Sequence, residues 1–257
     1  LAPGLCGYAD ALGTLGGGNH FAELLQIDEI YQPDVTVNKK RLMLLVHSGS
    51  RGLGQAILQQ HVERFGHHGL LADSEQAQAY LHQHQQALDF ATLNRQLIAQ
   101  RIFKRLGISG DCLLDLAHNF LAPATINGIS GWIHRKGATP ADQGMVVIPG
   151  SRGDHSYIVQ PLPSASSLYS LAHGAGRKWQ RSECKDRLSN RFSVEQLSRT
   201  RFGSRVICRD RQLIYQEAPE AYKPIDSVIG ALQQAGLIMV LARLKPLLTY
   251  KTSGRRE

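Results

Sequence analysis

Cysteine is scarce in this chain: four in 257 residues, Cys6, Cys112, Cys184 and Cys208, widely separated and with no C-x-x-C pair. That spacing excludes a zinc ribbon and a secreted disulfide scaffold, and it fits a reducing compartment. Long apolar runs are missing too. None approaches the ~18 residues a membrane span needs, and no charged-then-apolar leader opens the chain. A cytoplasmic location with no membrane partner is expected. Internal repeats and low-complexity linkers are also absent, so one domain over 1–257, with a helical insertion over about 54–107, is the economical organisation. The chain starts at Leu1 without a methionine, and an amino-terminal segment is expected to precede it.

Acidic residues are outnumbered. Lys+Arg 29 stands against Asp+Glu 21, a formal +8, and Arg177 to Arg211 holds eleven basic residues and four acids, +7 of that excess. A polyanion partner is implied; charge of this kind speaks of partners, not of fold. The 42% hydrophobic content is ample for a core.

What is present is a series of glycine loops, each joined to an imidazole, an amide or a guanidinium. Gly16-Gly17-Gly18 leads into Asn19-His20-Phe21, and a glycine run of this kind wraps a charged group closely. It is not a dinucleotide fingerprint, because no strand-to-helix unit with a downstream acid surrounds it. Phe21 to Ile27 reads as a strand with Glu23 on the face opposite Ala22 and Leu24, where a solvated residue is the simple account. Arg41 to Val46 reads as a buried strand ending in His47-Ser48-Gly49-Ser50-Arg51-Gly52, a loop able to set an imidazole at a metal and a guanidinium at a phosphate.

From Gly54 to Leu106 the pattern turns helical, as a hairpin whose second helix starts with Asp73 as cap and Gln76 three residues on, and stops at Gly107. His61, His67, His68, His82 and His84 lie on it, and a polar helix face accounts for them. His118-Asn119-Phe120 then repeats the imidazole–amide pair. Ile126-Asn127-Gly128-Ile129 reads as a hairpin turn, Trp132 to Thr139 as a strand, and Met145 to Ile148 as a buried strand closed by Pro149-Gly150-Ser151-Arg152-Gly153. Ser156 to Val159 is a further strand. His173-Gly174-Ala175-Gly176-Arg177, with Lys178 and Arg181 behind it, sets one imidazole against two glycines and a run of positive charge, which suits a reactive histidine handling phosphate. Glu217 to Lys223 reads as a turn, and Asp226 to Leu244 as an amphipathic helix or a helix plus a strand.

Five loops in this order and spacing, Gly16 to Phe21, His47 to Gly52, His118 to Phe120, Pro149 to Gly153 and His173 to Arg177, resemble the RtcB family of RNA-splicing ligases over essentially the whole chain. The resemblance implies an α+β fold of antiparallel sheets with peripheral helices. It implies a ligase that joins RNA 3′-phosphate or 2′,3′-cyclic phosphate ends to 5′-hydroxyl ends, with GTP and two Mn²⁺ ions, in tRNA splicing or RNA repair. Carried over residue by residue, His173 is the nucleophile that takes GMP, and His20, His47 and His118 are manganese ligands. Asn19, His20, Phe21, Ala22, Glu23, His118, Asn119, Pro149, Gly150, Ser151, Arg152, Ser156, Gly174, Ala175, Gly176 and Lys251 match positions that hold the guanosine nucleotide. Arg51, Arg177 and Arg181 match arginines that receive RNA phosphates.

The family's amino-terminal Asp-x-x-Cys motif does not precede Gly13 here, and Cys6 has no aspartate three positions before it. Ala117 and Arg152 suggest a divergent branch of the family; the resemblance implies, for one such branch, repair of damaged ribosomal RNA alongside a release-factor homologue, and an archease-like activating protein is the other implied partner. Two other readings stay open at this level: a catalytically incomplete RNA- or nucleotide-binding relative, and a metal-dependent phosphohydrolase.

Overall fold

The computed structural model describes residues 3–33 and 37–253. Leu1 and the side chain of Cys6, on which two of these expectations rest, lie outside the described residues. The chain divides into two units, one formed by Leu1–Gly16 and Val46–Cys112, the other by Gly17–Leu45 and Leu113–Glu257.

The first unit is helical. It holds α1 (Gly52–Phe65) and α2 (Glu75–Leu106), together with a 3₁₀ segment at Pro3–Ala11. The expected hairpin is therefore present, with one correction at its second start. Ser74, not Asp73, is the cap: its Oγ accepts from Ala77 N–H at 3.2 Å. Asp73 stands one residue too early to reach that donor. Gly107 ends the helix in a left-handed conformation, φ 65°. Leu53, Ile57 and Phe90 form the buried core of the unit, with Tyr8, Tyr80 and Ala87 against it. His61 packs its ring on Tyr80, centroids 4.9 Å apart. No helix among the described residues is long and apolar enough to cross a membrane.

The second unit is built on a sheet. Its strands are β1 (Phe21–Ile30), β2 (Leu42–His47, whose last two residues fall to the helical unit), β6 (Val146–Pro149), β7 (Ser156–Pro161), β9 (Arg205–Ile207) and β10 (Ile238–Tyr250), in the order β2-β1-β10-β7-β6 with β9 beside β10. The β1–β10, β10–β7 and β6–β7 pairs are antiparallel, while β9–β10 is parallel. Two smaller sheets pair β3 (Asn119–Ile126) with β4 (Ile129–Lys136), and β5 (Ala138–Pro140) with β8 (Ser170–Ala172). Helices α3 (Arg181–Leu188), α4 (Val194–Leu197), α5 (Arg211–Gln216) and α6 (Ile225–Gln234) complete the unit.

Alternation along β7 and β10 explains the core. Tyr157, Val159, Ile238 and Val240 join one apolar cluster with Ile225 and Ile229 of α6, whereas Ile158, Leu241, Ala242 and Leu244 join another with Leu25 and Ile27. Strands buried on both faces read as continuous apolar runs, which is why periodicity alone does not separate helix from strand over Asp226 to Leu244. That stretch resolves into a helix and then a strand.

Two further expectations change and one, the hairpin turn, holds. The Arg41 to Val46 run forms β2, but β2 closes the sheet order at one end and its residues are half-buried or exposed. The Ile126 to Ile129 turn forms with Asn127 and Gly128 both at positive φ, 52° and 78°, as a two-residue hairpin requires. The strand read across Trp132 to Thr139 breaks at Gly137, φ 64°, and its second part pairs with β8 instead.

Candidate active site

His173 follows β8 directly. Because Ala138 pairs with Ala172 across the β5–β8 ladder, Gly137 lies beside the imidazole, and its carbonyl sits 2.7 Å from His173 Nδ1. A carbonyl only accepts, so in the neutral ring Nδ1 carries the proton and Nε2 carries the lone pair. Burial lowers the His173 pKa below the usual histidine value, partly opposed by this hydrogen bond. The ring is thus held neutral near pH 7, the form a nucleophile needs.

Gly137 ties this arrangement to the preceding hairpin. Its N–H donates to Asn119 Oδ1 at 2.7 Å, and the next N–H, of Ala138, donates to the His118 carbonyl at 3.2 Å. The His118 and His173 rings consequently face one another, centroids 4.5 Å apart and tilted 33°. A Cβ on Gly137 would sit 3.0 Å from His173 Cε1, so any larger residue would displace the ring.

The Pro149 loop adjoins the same turn. Ala175 N–H donates to the Pro149 carbonyl at 3.0 Å, and Gly150 N–H closes the loop on His155 O at 3.0 Å. Ser151 and Ser156 are buried here. Arg152 is also buried: Nη2 donates to Leu197 O at 3.0 Å, but Nε and Nη1 reach no acceptor among the described residues. Burial draws its pKa down to about 10, still charged at neutral pH. Buried guanidinium donors without a protein acceptor are what an anionic ligand would satisfy.

Behind the His173 turn lies a residue the motifs did not single out. Glu217, 3% exposed, accepts at Oε1 from Arg177 Nη1 (3.2 Å) and Arg181 Nε (2.9 Å), and at Oε2 from Tyr222 Oη (2.5 Å). Lys251 Nζ stands 3.8 Å away. The two arginines differ. Arg177 spends its remaining donors on Trp179 O, Tyr222 Oη, Cys184 Sγ and Gln216 O, so its guanidinium points into the protein. Arg181 keeps a 42% exposed side chain, and Gly18 of the glycine run lies against it, where a Cβ would meet Nη2 at 3.4 Å.

Lys251 links this hub to the first motif. Its Nζ donates to the His20 carbonyl at 2.9 Å and lies 5.7 Å from the Phe21 ring. Burial draws its pKa down to about 8. One register step inward, with Ala22 opposite Tyr250, Glu23 pairs with Thr249, whose hydroxyl donates to Glu23 Oε1 at 2.5 Å. Glu23 is therefore not the solvated strand residue its alternation suggested. It is 3% exposed, because β10 supplies a polar side chain opposite it, and burial raises its pKa to about 8. The unit thus assembles an imidazole with its lone pair on Nε2, a buried cationic pocket and a carboxyl whose pKa burial raises to about 8.

The structure accordingly brings His20 to Glu23, His118, Asn119, the Pro149 loop, Ser156, His173 to Arg177, Arg181 and Lys251 into one unit. His47 and Arg51 belong to the helical unit. There Arg51 adopts φ 57°, unusual for a non-glycine residue, and its Nε donates to Thr14 Oγ1 at 3.1 Å. The loop before it hangs on Asn94, which is fully buried. Asn94 Oδ1 accepts from Gly13 and Thr14 N–H, and Nδ2 donates to Thr14 O, Ser48 Oγ and Gly49 O. Among the described residues, no three His, Cys, Asp or Glu side chains form a metal-binding group; of the histidines that the resemblance names as ligands, His20 and His118 lie in the sheet unit and His47 in the helical one. Glycine inside a strand pattern could have flagged Gly137; Glu217, Thr249 and Asn94 carried no local signal.

A family model described as tRNA-splicing ligase RtcB matches residues 7–252. RNA-splicing ligase RtcB2 of Escherichia coli is 54% identical, covering 97% of this chain and 67% of that protein. RNA-splicing ligase RtcB of Mycobacterium tuberculosis is 33% identical, over 92% of this chain and 63% of its own, and tRNA-splicing ligase RtcB of Nanoarchaeum equitans is 32% identical, over 94% and 60%. The chain spans between three-fifths and two-thirds of the length of these relatives. With a family model matched along nearly all of its length, the chain belongs to the RtcB family of RNA-splicing ligases.

Proposed function

We propose that this protein is a cytoplasmic GTP-dependent RNA ligase that seals 3′-phosphate or 2′,3′-cyclic phosphate ends to 5′-hydroxyl ends through a histidine–GMP intermediate on His173. The observation that carries the reading is the His173 Nδ1 to Gly137 O hydrogen bond, which puts the ring's lone pair on Nε2. In the first step Nε2 bonds to the α-phosphorus of GTP as the bond to pyrophosphate breaks. A 2′,3′-cyclic end is first opened by water to a 3′-phosphate. An oxygen of the 3′-phosphate then takes GMP as the P–N bond breaks, and the 5′-hydroxyl, giving its proton to solvent, attacks that activated end and expels GMP.

The chain's own groups fit these roles. Arg152, with the turns Gly150 to Ser151 and Gly174 to Gly176, would take the guanylate phosphate, while Ser156, Phe21, Glu23 and Lys251 would hold the base. A protonated Glu23 beside a lysine of lowered pKa offers both a donor and acceptors to a purine edge. Arg181 would meet the RNA phosphate, with Arg177 bracing it through Glu217. The family resemblance also implies manganese ligated by His20, His47 and His118, and an archease-like or release-factor-like partner.

Incubation with GTP labelled at the α-phosphate and Mn²⁺ tests the reading. It should give an acid-labile adduct that is absent from His173→Ala. A protein that binds GTP yet forms no adduct counts against a ligase.

A further inference from the structure

The reaction above uses only Arg177 and Arg181 from the segment that carries +7 of the formal +8. In the fold this segment becomes a small lobe. α3, α4 and α5 close on Leu188, Leu197, Ile214 and Tyr215, with Trp179 and Phe192 packed against them. Most of its apolar side chains pack into that core, Ile207 staying exposed, and its cations face outward: Arg187, Arg191, Arg199, Arg205, Arg209 and Arg211 are all exposed. Glu183 answers Arg187, whereas Arg191, Arg199 and Arg205 make no ion pair with any described residue.

Three observations say what such a surface takes. Arginine dominates it, and the planar guanidinium fork matches phosphate oxygens better than a lysine point charge does. The arginines are also braced by aromatic rings, Arg187 over Trp179 at 5.1 Å and Arg191 over Phe192 at 5.3 Å, which leaves their edges to an anion. Finally, the lobe is rooted in the candidate active site. It departs from Arg177 and returns at Glu217, which holds both Arg177 and Arg181, and β9 pairs with Leu248 to Tyr250 just before Lys251. One phosphate at Arg181 cannot engage arginines spread over α3, α5, β9 and the loops between them; a run of phosphates can.

We propose that this lobe binds the body of the RNA substrate, gripping backbone phosphates remote from the ends that react at His173. The RNA in this proposal rests on the ligase reading, but the surface does not. The variant Arg191→Gln/Arg199→Gln/Arg205→Gln removes three charges that touch neither His173 nor Glu217. Its affinity is compared with that of the unaltered chain for a hairpin RNA of about 75 nucleotides and for a 10-nucleotide RNA with the same 3′-phosphate end, across a salt series. For the long RNA the variant should bind at least about tenfold more weakly at 0.1 M salt, and the slope of log affinity against log salt should fall by about 2–3, near 0.7–0.9 for each phosphate that is no longer neutralised. Binding of the short RNA and the labelled-GTP adduct should be unchanged. An unchanged slope, an equal loss for both RNAs, or equal competition by poly-glutamate would overturn the proposal. Absence of the adduct from the unaltered chain, with the length-dependent loss intact, would instead sink the ligase reading and leave the RNA surface standing.

Discussion

His173 donates its Nδ1 proton to the carbonyl of Gly137, 36 residues upstream, at 2.7 Å. One backbone atom thereby sets which nitrogen keeps the lone pair. Gly137→Ala places a Cβ in a left-handed residue and against the ring, costing about 1–2 kcal/mol from backbone strain alone. The adduct rate should fall about 100-fold, as misplacement of a reacting group by an ångström does. Melting and a labelled-GTP time course check both; an alanine variant that guanylylates at the original rate would show that the ring does not depend on this contact.

Glu217 is the second test. Removing it leaves Arg177 charged and enclosed, and breaking a buried pair from one side costs about 3–5 kcal/mol. Glu217→Ala should therefore melt well below the parent. Glu217→Gln keeps an acceptor and should keep the fold, yet weaken binding of RNA 3′-phosphate ends, since Arg181 loses its ionic anchor. Thermal denaturation and end-labelled RNA titrations separate the two effects.

Glu23 predicts a pH dependence. Its folded pKa, about 8, lies above the ordinary glutamate value of 4.5, so the folded state holds a proton that the unfolded chain releases. Stability from this group is intact below about 4.5 and is lost as pH rises through about 8. Glu23→Gln cannot ionise, so its melting temperature should gain on the parent steadily between pH 5 and about 8. A gain of about 1 kcal/mol reads as about 2–4 °C at this size. A constant difference across that range would mean Glu23 ionises freely.

In the helical unit, Asn94→Ala strands the Gly13 and Thr14 N–H groups and the Thr14 and Gly49 carbonyls at once. A loss of about 3 kcal/mol is expected, with faster proteolysis in the Ser48 to Gly52 loop than at the α2 surface. Asn94→Asp should fare little better, because a carboxylate cannot donate to Ser48 Oγ or Gly49 O.

Thiol labelling gives a simpler check. Cys112 is exposed, while Cys184 is buried, with burial raising its pKa despite the neighbouring Arg177. Native protein should label at Cys112 quickly, and Cys184 should react only on unfolding.

Much of this was legible along the chain because it is local. A glycine run permits a tight loop wherever it stands, Asn127-Gly128 makes the same turn in any hairpin, and an imidazole between glycines and arginines suits phosphate chemistry, a reading that the four companion loops carried and the motif alone did not. The helical hairpin was equally plain, since periodicity and a terminal glycine suffice for it. Burial was not legible. Glu23 alternates like a solvated residue until Thr249, 226 positions later, comes to lie opposite it in β10. Arg177 and Arg181 look alike in the motif and part only when Glu217 turns one inward and leaves the other half in solvent. Spacing decides which residue types sit near one another on a loop; which proton sits on which nitrogen, and which charge faces water, depends on partners that only the folded sheet brings across.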